Sequence, residues 1–121
     1  MTRTIMTVDD SPSMRALLRN ALSAQGYTVA EAEDGIDALE RIGDAAPDLV
    51  ITDINMPRMD GFGLIEAMRA KAEYARMPIL VLSTEFSDEK KQRARSAGAT
   101  GWIVKPFHPD KLATAIRRVM L

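Results

Sequence analysis

The sequence predicts an α/β protein in which helices cover both faces of one parallel β-sheet. Short apolar runs typical of strands alternate with segments whose apolar residues recur at helical spacing, and five such pairs follow one another along the chain. Strands separated by helices need crossover connections, which are right-handed and place helices on both faces of the sheet. A chain of 121 residues is long enough for one continuous core. We therefore expect a single domain over residues 1–121.

The first strand and helix have the clearest boundary signals. A strand is predicted over residues 4–8, after which Ser11 can cap a helix that begins at Pro12. Gly26 is suited to end this helix, and a short second strand is predicted over residues 27–30, near an edge of the sheet. The residues predicted to line the inner face of the helix are Met14, Leu17, Leu18, Ala21 and Leu22.

The second and third helices lie on either side of the third strand in the sequence. The second helix is predicted to begin near residue 36, and Pro47 separates it from a strand over residues 49–52. A loop follows that ends at Gly61, a residue that tolerates a positive φ. The third helix is predicted over residues 62–72.

The last two pairs differ in how firmly their helices should be held. The run at residues 79–82 is the most hydrophobic in the chain and predicts a strand buried on both faces. The helix predicted at residues 87–97 has only alanines as apolar residues, so we expect it to be weakly anchored. A fifth strand is predicted over residues 101–104. The inner face of the last helix is predicted to comprise Leu112, Ile116, Val119 and Met120.

Composition limits the classes of function. With 16 Lys and Arg against 17 Asp and Glu, the net charge is near zero, which argues against a general affinity for nucleic acid or anionic membranes. No apolar run approaches the length of a bilayer span, and the first residues lack a signal-peptide core, so we expect a cytoplasmic protein. The absence of cysteine excludes disulfides, thiolate metal sites and thiol catalysis.

Polar side chains directly follow four of the predicted strands. They are Asp9 and Asp10 after the first strand, Asp53 after the third, Ser83 after the fourth and Lys105 after the fifth. Ligands of parallel α/β sheets bind at the carboxyl ends of the strands. Three carboxylates at one sheet edge resist joint ionisation unless a cation lies among them. A hard divalent ion with oxygen ligands is the candidate.

Five segments of the chain resemble the receiver domain of bacterial two-component response regulators, and together they cover essentially its whole length. The resemblance implies a flavodoxin-like, doubly wound sheet of strand order 2-1-3-4-5. With no DNA-binding or catalytic domain attached, it implies a stand-alone regulator of the chemotaxis type that is a signalling protein and not an enzyme. The segments are Val8-Asp9-Asp10-Ser11, Asp53-Ile54-Asn55-Met56-Pro57, Met59-Asp60-Gly61, Ser83-Thr84-Glu85 and Lys105-Pro106-Phe107.

The resemblance implies a role for each site residue. Asp53 is the phosphoacceptor that attacks the phosphoryl group of a phosphohistidine on a partner kinase. Mg²⁺ is held by Asp10, Asp53 and the backbone carbonyl of Asn55, with Asp9 acting mainly through a bridging water. Lys105 supplies an ammonium group to one phosphoryl oxygen.

The resemblance also implies a switch. Ser83 donates its hydroxyl to another phosphoryl oxygen, and Trp102 stands where the family has the aromatic residue that moves into the space Ser83 leaves. The response surface is then the fourth helix, the fifth strand and the fifth helix. Because Ser83 replaces the more frequent threonine and Trp102 the usual tyrosine or phenylalanine, we expect looser coupling, and inward rotation of Trp102 stays open. Asn55 and Glu85 occupy positions that tune hydrolysis of the acyl phosphate.

Partners follow from the same resemblance. We expect a monomer that meets a histidine kinase or phosphotransfer protein, and a flagellar motor switch protein or a phosphatase. A phosphorelay intermediate or phosphate sink is an alternative that uses the same acceptor. From a different class, a Mg²⁺-dependent phosphatase with an aspartyl-phosphate intermediate is possible, although Asn55 stands where that chemistry needs a second acid. By resemblance the Lys105-Pro106 bond is expected to be cis.

Overall fold

The computed structural model describes residues 2–120 and contains one five-stranded parallel sheet. The strands are β1 (Thr4–Val8), β2 (Thr28–Ala32), β3 (Leu49–Thr52), β4 (Ile79–Ser83) and β5 (Gly101–Val104). The helices are α1 (Pro12–Ala24), α2 (Gly35–Ala45), α3 (Gly61–Arg69), α4 (Asp88–Ala97) and α5 (Pro109–Val119), with a short 3₁₀ turn at Ala72–Tyr74. The strand order β2-β1-β3-β4-β5 confirms the predicted flavodoxin-like fold.

Different helices cover the two faces of the sheet. Because successive strand residues point to opposite faces, neighbouring residues of one strand pack against different helices. Met6 and Val50 belong to the cluster packed against α2, α3 and α4. Ile5 and Ile51 belong to the cluster packed against α1 and α5. All five residues of β4 are buried, which confirms the prediction of a strand covered on both faces. The only buried residue that α4 contributes within the described chain is Ala94, which agrees with its predicted weak anchoring.

Three sequence predictions need correction. The second strand runs over Thr28–Ala32 and not residues 27–30, because the N–H of Tyr27 is used at the end of α1, where it bonds to the carbonyl of Leu22. The third helix ends at Arg69 and not at residue 72, since Lys71 has an extended backbone. Leu17 was expected on the inner face of α1 but is 56% exposed.

The error at Leu17 comes from a helix face that is narrower than predicted. Leu18 and Leu22, one turn apart, are buried, and Met14 and Ala21 are half-buried beside them. Leu17 lies about 100° around the helix from Leu18, which turns its side chain to solvent. Among the helices of residues 2–120, none is both long and apolar enough to cross a membrane.

Candidate functional site

The carboxyl ends of β1 and β3 place two aspartates next to each other. The strands pair in register from Ile5 with Leu49 to Val8 with Thr52. The pairing continues one residue further, where the N–H of Asp53 donates to the carbonyl of Val8 at 2.9 Å. Asp9 and Asp53 are therefore held at one edge of the sheet by backbone hydrogen bonds, as the strand-end argument predicts.

Asp9 is the most firmly fixed of the acids. Its side chain is 3% exposed. One oxygen, Oδ1, accepts the N–H of Ser11 at 2.9 Å, and the other, Oδ2, accepts Lys105 Nζ at 2.8 Å. A buried carboxylate with both oxygens hydrogen-bonded is held in one orientation.

Asp53 is more accessible and shares the same lysine. Its Oδ1 accepts the N–H of Ile54 at 2.7 Å, and its Oδ2 accepts Lys105 Nζ at 2.9 Å. The side chain is 12% exposed, against 3% for Asp9. The orientation of this group is set by a backbone donor and a cation, and its partial exposure makes it the more accessible of the two carboxylates.

Asp10 completes an acidic cluster that suits a hard cation. Asp10 is exposed, and one carboxylate oxygen from each of Asp9, Asp10 and Asp53 can be chosen so that all three lie within 4.8 Å of one another. Carboxylate oxygens are the ligands that Mg²⁺ prefers, and an open, partly exposed site leaves room for the waters that the ion retains. The donor set therefore fits Mg²⁺.

Lys105 links the two anchored acids. Its side chain is 10% exposed, and its Nζ bonds to both Asp9 and Asp53. Burial by itself would lower the pKa of Lys105, but hydrogen bonds and Coulombic attraction from Asp9 and Asp53 outweigh burial and raise that pKa. Lys105 is thus firmly cationic at neutral pH. The Lys105-Pro106 bond is cis, as expected from the family resemblance.

Ser83 lies at the same sheet edge but is bonded within its own turn. The residue is fully buried, and its Oγ accepts the N–H of Glu85 at 3.2 Å. The carbonyl of Ser83 accepts the N–H of Lys105 at 2.8 Å, which ties the end of β4 to the end of β5. The backbone of Ser83 is therefore tied to that of Lys105, and its hydroxyl is held by one long hydrogen bond.

Glu85 connects three elements near this edge of the sheet. Its carboxylate bonds to Lys90 Nζ at 2.9 Å and, more weakly, to Asn55 Nδ2 at 3.5 Å. Its backbone carbonyl accepts the indole N–H of half-buried Trp102 at 3.0 Å. The ammonium of Lys90, and next the amide of Asn55, lower the pKa of Glu85. This one residue thus touches β5, α4 and the loop after β3.

Some supporting contacts could not be inferred from the sequence motifs. Arg15 Nη1 donates to the backbone carbonyl of Asp9 at 2.6 Å, and Arg15 Nε lies 3.5 Å from Glu31 Oε1 of β2. Arg58 forms a two-pronged ion pair with the buried carboxylate of Asp34. Because both arginines lie outside the segments that carry the family resemblance, only their contacts reveal these roles.

The fold and the acidic edge define a class of signalling domain, the receivers of two-component systems. The family described as the response regulator receiver domain matches residues 5–117. The chain belongs to this family.

Relatives and solved structures point to one branch of that family. The chain is 37% identical over 118 residues to chemotaxis protein CheY1 of Helicobacter pylori strain 26695, covering 96% of this chain and 95% of that protein. It is 38% identical over 116 residues to the gliding motility regulatory protein of Myxococcus xanthus, of which it spans only 15%. The structure of Vibrio cholerae chemotaxis protein CheY4 superposes with a TM-score of 0.94 at 44% identity, covering 98% of this chain and 99% of that one. The chain is a receiver domain of the CheY type.

Proposed function

We propose that this chain is a response regulator that accepts a phosphoryl group on Asp53 and thereby changes a partner-binding surface in chemotaxis signalling. The observation that carries the proposal is the placement of Lys105 Nζ between Asp9 and Asp53, 2.8 and 2.9 Å from their oxygens, beside a third acid that completes a cation site. Phosphoryl transfer requires positioning and charge neutralisation more than covalent help from the protein, and this edge offers both.

The proposed reaction is a displacement at phosphorus. An oxygen of Asp53 attacks the phosphoryl group of a phosphohistidine, an O–P bond forms, and the P–N bond breaks with its electron pair going to the imidazole nitrogen. The N–H of Ile54 keeps the Asp53 carboxylate oriented during the attack. The accessible side of Asp53 is where the partner histidine would enter.

Charge neutralisation is divided between a metal and the lysine. By family analogy, Mg²⁺ would be held by Asp10, Asp53 and the carbonyl of Asn55, with Asp9 acting mainly through a bridging water, and it would supply positive charge to the phosphoryl oxygens. Once Asp53 carries the phosphoryl group, Lys105 Nζ can leave the Asp53 oxygen for a phosphoryl oxygen while keeping its bond to Asp9. The Lys105 ammonium group thus stays beside the negative charge of the site as that charge moves from the Asp53 carboxylate to the phosphoryl group.

The proposed switch begins at Ser83 and reaches the surface through Glu85. In the present turn the Ser83 hydroxyl oxygen accepts the N–H of Glu85. A phosphoryl oxygen would be a strong acceptor for the hydroxyl hydrogen of Ser83. Moving Ser83 would disturb the turn that holds Glu85, whose carbonyl fixes Trp102. Since α4 buries only Ala94, α4 is the part of the response surface of α4, β5 and α5 that can adjust at low cost.

The proposed partners are a histidine kinase or phosphotransfer protein upstream, and a flagellar motor switch protein or a phosphatase downstream. We propose a cytoplasmic monomer comprising one receiver domain over residues 1–121, with Asn55 and Glu85 tuning the lifetime of the acyl phosphate. The chemotaxis assignment is supported by near-full coverage of the CheY1 and CheY4 proteins on both sides of the comparison.

The test of the acceptor uses Trp102 as the reporter, because its N–H bonds directly to the Glu85 turn. Fluorescence is recorded as Mg²⁺ and then beryllofluoride, a mimic of the acyl phosphate, are added. We expect a change that requires both additions and is absent in Asp53→Asn. A change of the same size in Asp53→Asn would refute Asp53 as the acceptor.

A second experiment tests the downstream assignment. Binding of a motor-switch peptide is measured with and without Mg²⁺ and beryllofluoride, and phosphotransfer from radiolabelled phosphotransferases is followed in parallel. The chemotaxis proposal expects tighter peptide binding in the beryllofluoride state. Efficient phosphotransfer with absent or phosphorylation-independent peptide binding would favour the phosphorelay or phosphate-sink alternative.

A further inference from the structure

An ion pair outside the acidic cluster joins two loops at the same edge of the sheet. Asp34 precedes α2 and is 2% exposed, whereas Arg58 lies in the loop between β3 and α3. Arg58 Nε donates to Asp34 Oδ2 at 2.8 Å and its Nη2 donates to Asp34 Oδ1 at 3.1 Å. Such a two-pronged contact fixes both distance and orientation.

The backbone of Arg58 is in a conformation that carries an energetic cost. Its φ is +62°, in the left-handed region that residues with a Cβ rarely occupy. Arginine has no local side-chain hydrogen bond that favours this region, in contrast to asparagine or aspartate. The cost is offset at this position by the pairing of the guanidinium group with Asp34.

Asp34 is held in place independently of Arg58. Its Oδ1 also accepts the N–H of Asp37 at 2.8 Å, so the carboxylate caps α2. The hydrogen bond from Arg58 is the foremost cause that lowers the pKa of Asp34. The Asp34 carboxylate, fixed at the N-terminus of α2, therefore provides a rigid attachment point for the arginine.

The same two loops are joined by their backbones. The N–H of Gly35 donates to the carbonyl of Met59 at 3.1 Å, and a Cβ on Gly35 would collide with the Met59 side chain. At the other side of the loop, the N–H of Gly61 donates to the carbonyl of Ile54 at 2.8 Å. Residues 54–60 are thus closed into a compact loop that rests on α2.

We propose that Arg58 and Asp34 are a positioning pair that holds the loop of residues 54–60 in the geometry in which Asp53 and Asn55 bind Mg²⁺. This inference rests on the proposed function for the metal and names residues that the reaction itself does not touch. Asn55 lies three residues before Arg58 in that loop, and the loop starts directly after Asp53. A contact that fixes the loop limits the backbone conformations from which Asp53 and Asn55 can present their ligand oxygens.

The experiment compares Arg58→Gly with wild type, because glycine accepts the positive φ and so removes the side chain without adding backbone strain. Arg41→Ala is the matched control, since Arg41 forms an ion pair with Asp37 at 2.7 Å within α2 and does not reach the loop. Arg58→Lys keeps the charge but not the two-pronged contact. Amide hydrogen exchange without metal and a Mg²⁺ titration followed by amide NMR shifts are recorded for all four proteins.

We expect Arg58→Gly to weaken Mg²⁺ binding about tenfold, Arg58→Lys to lie in between, and Arg41→Ala to bind like wild type. In the metal-free protein, the amides of Gly35 and Gly61 should exchange about tenfold faster in Arg58→Gly. Wild-type Mg²⁺ affinity in Arg58→Gly would overturn the positioning role, whether or not exchange changes. Weaker binding with unchanged exchange would also overturn it, because the effect would then be one of charge alone. Failure of the wild-type protein to bind Mg²⁺ would instead refute the proposed function.

Discussion

Replacing Lys105 by methionine tests the electrostatic balance of the acidic edge. Methionine is close to lysine in length and fills the same space, so the change removes the ammonium group with little loss of packing. In wild type, Lys105 Nζ forms charged hydrogen bonds with Asp9 and Asp53 at 2.8 and 2.9 Å. The variant leaves the buried Asp9 and the nearby Asp53 without a cation.

The size of the effect follows from these two contacts. A hydrogen bond between charged groups contributes about 1.5–3 kcal/mol, and we take the lower end for each because Asp53 and the neighbouring Asp10 face solvent. The sum is about 3 kcal/mol. For a domain of this size the loss corresponds to roughly 10 °C in Tm.

The pH dependence has a definite sign. Because the pKa of Lys105 is raised in the folded protein, its stabilising contribution is complete below the ordinary lysine value of about 10.4 and is lost only as the pH rises through the higher folded value. At pH 7 the full difference between wild type and Lys105→Met should therefore be measurable.

Thermal unfolding with and without MgCl₂ is the assay. We expect Mg²⁺ to raise the Tm of Lys105→Met by more than that of wild type, because the ion then supplies the only positive charge among the acids. The matched control is Lys90→Met, which removes an ammonium group at 2.9 Å from the carboxylate of Glu85 in an exposed pair and should change Tm little. Equal Tm values for Lys105→Met and Lys90→Met, or a Mg²⁺ effect no larger than in wild type, would refute the electrostatic reasoning.

Three further predictions concern the elements that support the site. In Gly61→Ala, the new Cβ would press on the carbonyl of Asp53 and lie 2.9 Å from Ile54 Cα, so we expect urea unfolding to show about 1–2 kcal/mol less stability. In the control Gly43→Ala, the new Cβ meets nothing within 4 Å, so this substitution should be neutral or stabilising. An equal effect of the two substitutions would contradict this contact. Trp102→Phe removes the hydrogen bond to the Glu85 carbonyl, so we expect the free energy of unfolding to fall by at most about 1 kcal/mol and amide exchange in the turn after β4 to become faster. Unchanged exchange would show that Trp102 is not part of the proposed switch. The hydrogen bond from Arg58 lowers the pKa of Asp34 in the folded protein. The free energy of unfolding of wild type should therefore exceed that of Asp34→Asn above about pH 4, and the difference should shrink as the pH falls through the lower folded pKa. A difference that stays constant down to about pH 2 would contradict that linkage.

The fold could be predicted because its signals are local and repeated. Alternation of apolar runs with helical spacing, together with Pro12 and Gly26 near helix ends, indicates the elements without knowledge of distant contacts. The errors occurred where tertiary packing decides. Leu17 fits a helical face by spacing alone, but the narrow contact of α1 with the sheet leaves it exposed.

The candidate site was predictable in its composition and less so in its connections. Residues that follow parallel strands must meet at one edge, which is why Asp9, Asp53 and Lys105 could be grouped in advance. The pairing of Arg58 with Asp34 depends on a positive φ and on two loops meeting in space, and neither leaves a signal in the sequence. The bond from Trp102 to the Glu85 carbonyl is of the same kind, since it involves a backbone oxygen.

The most direct test of the central claim is to locate the phosphoryl group itself. The protein is incubated with acetyl phosphate and Mg²⁺, the acyl phosphate is trapped by borohydride reduction, and the modified residue is identified by tandem mass spectrometry. The proposed chemistry predicts Mg²⁺-dependent modification at Asp53, with none in Asp53→Asn. Modification that lies on Asp9 or Asp10 in the wild-type protein, or that persists unchanged in Asp53→Asn, would contradict the assignment of Asp53 as the phosphoacceptor.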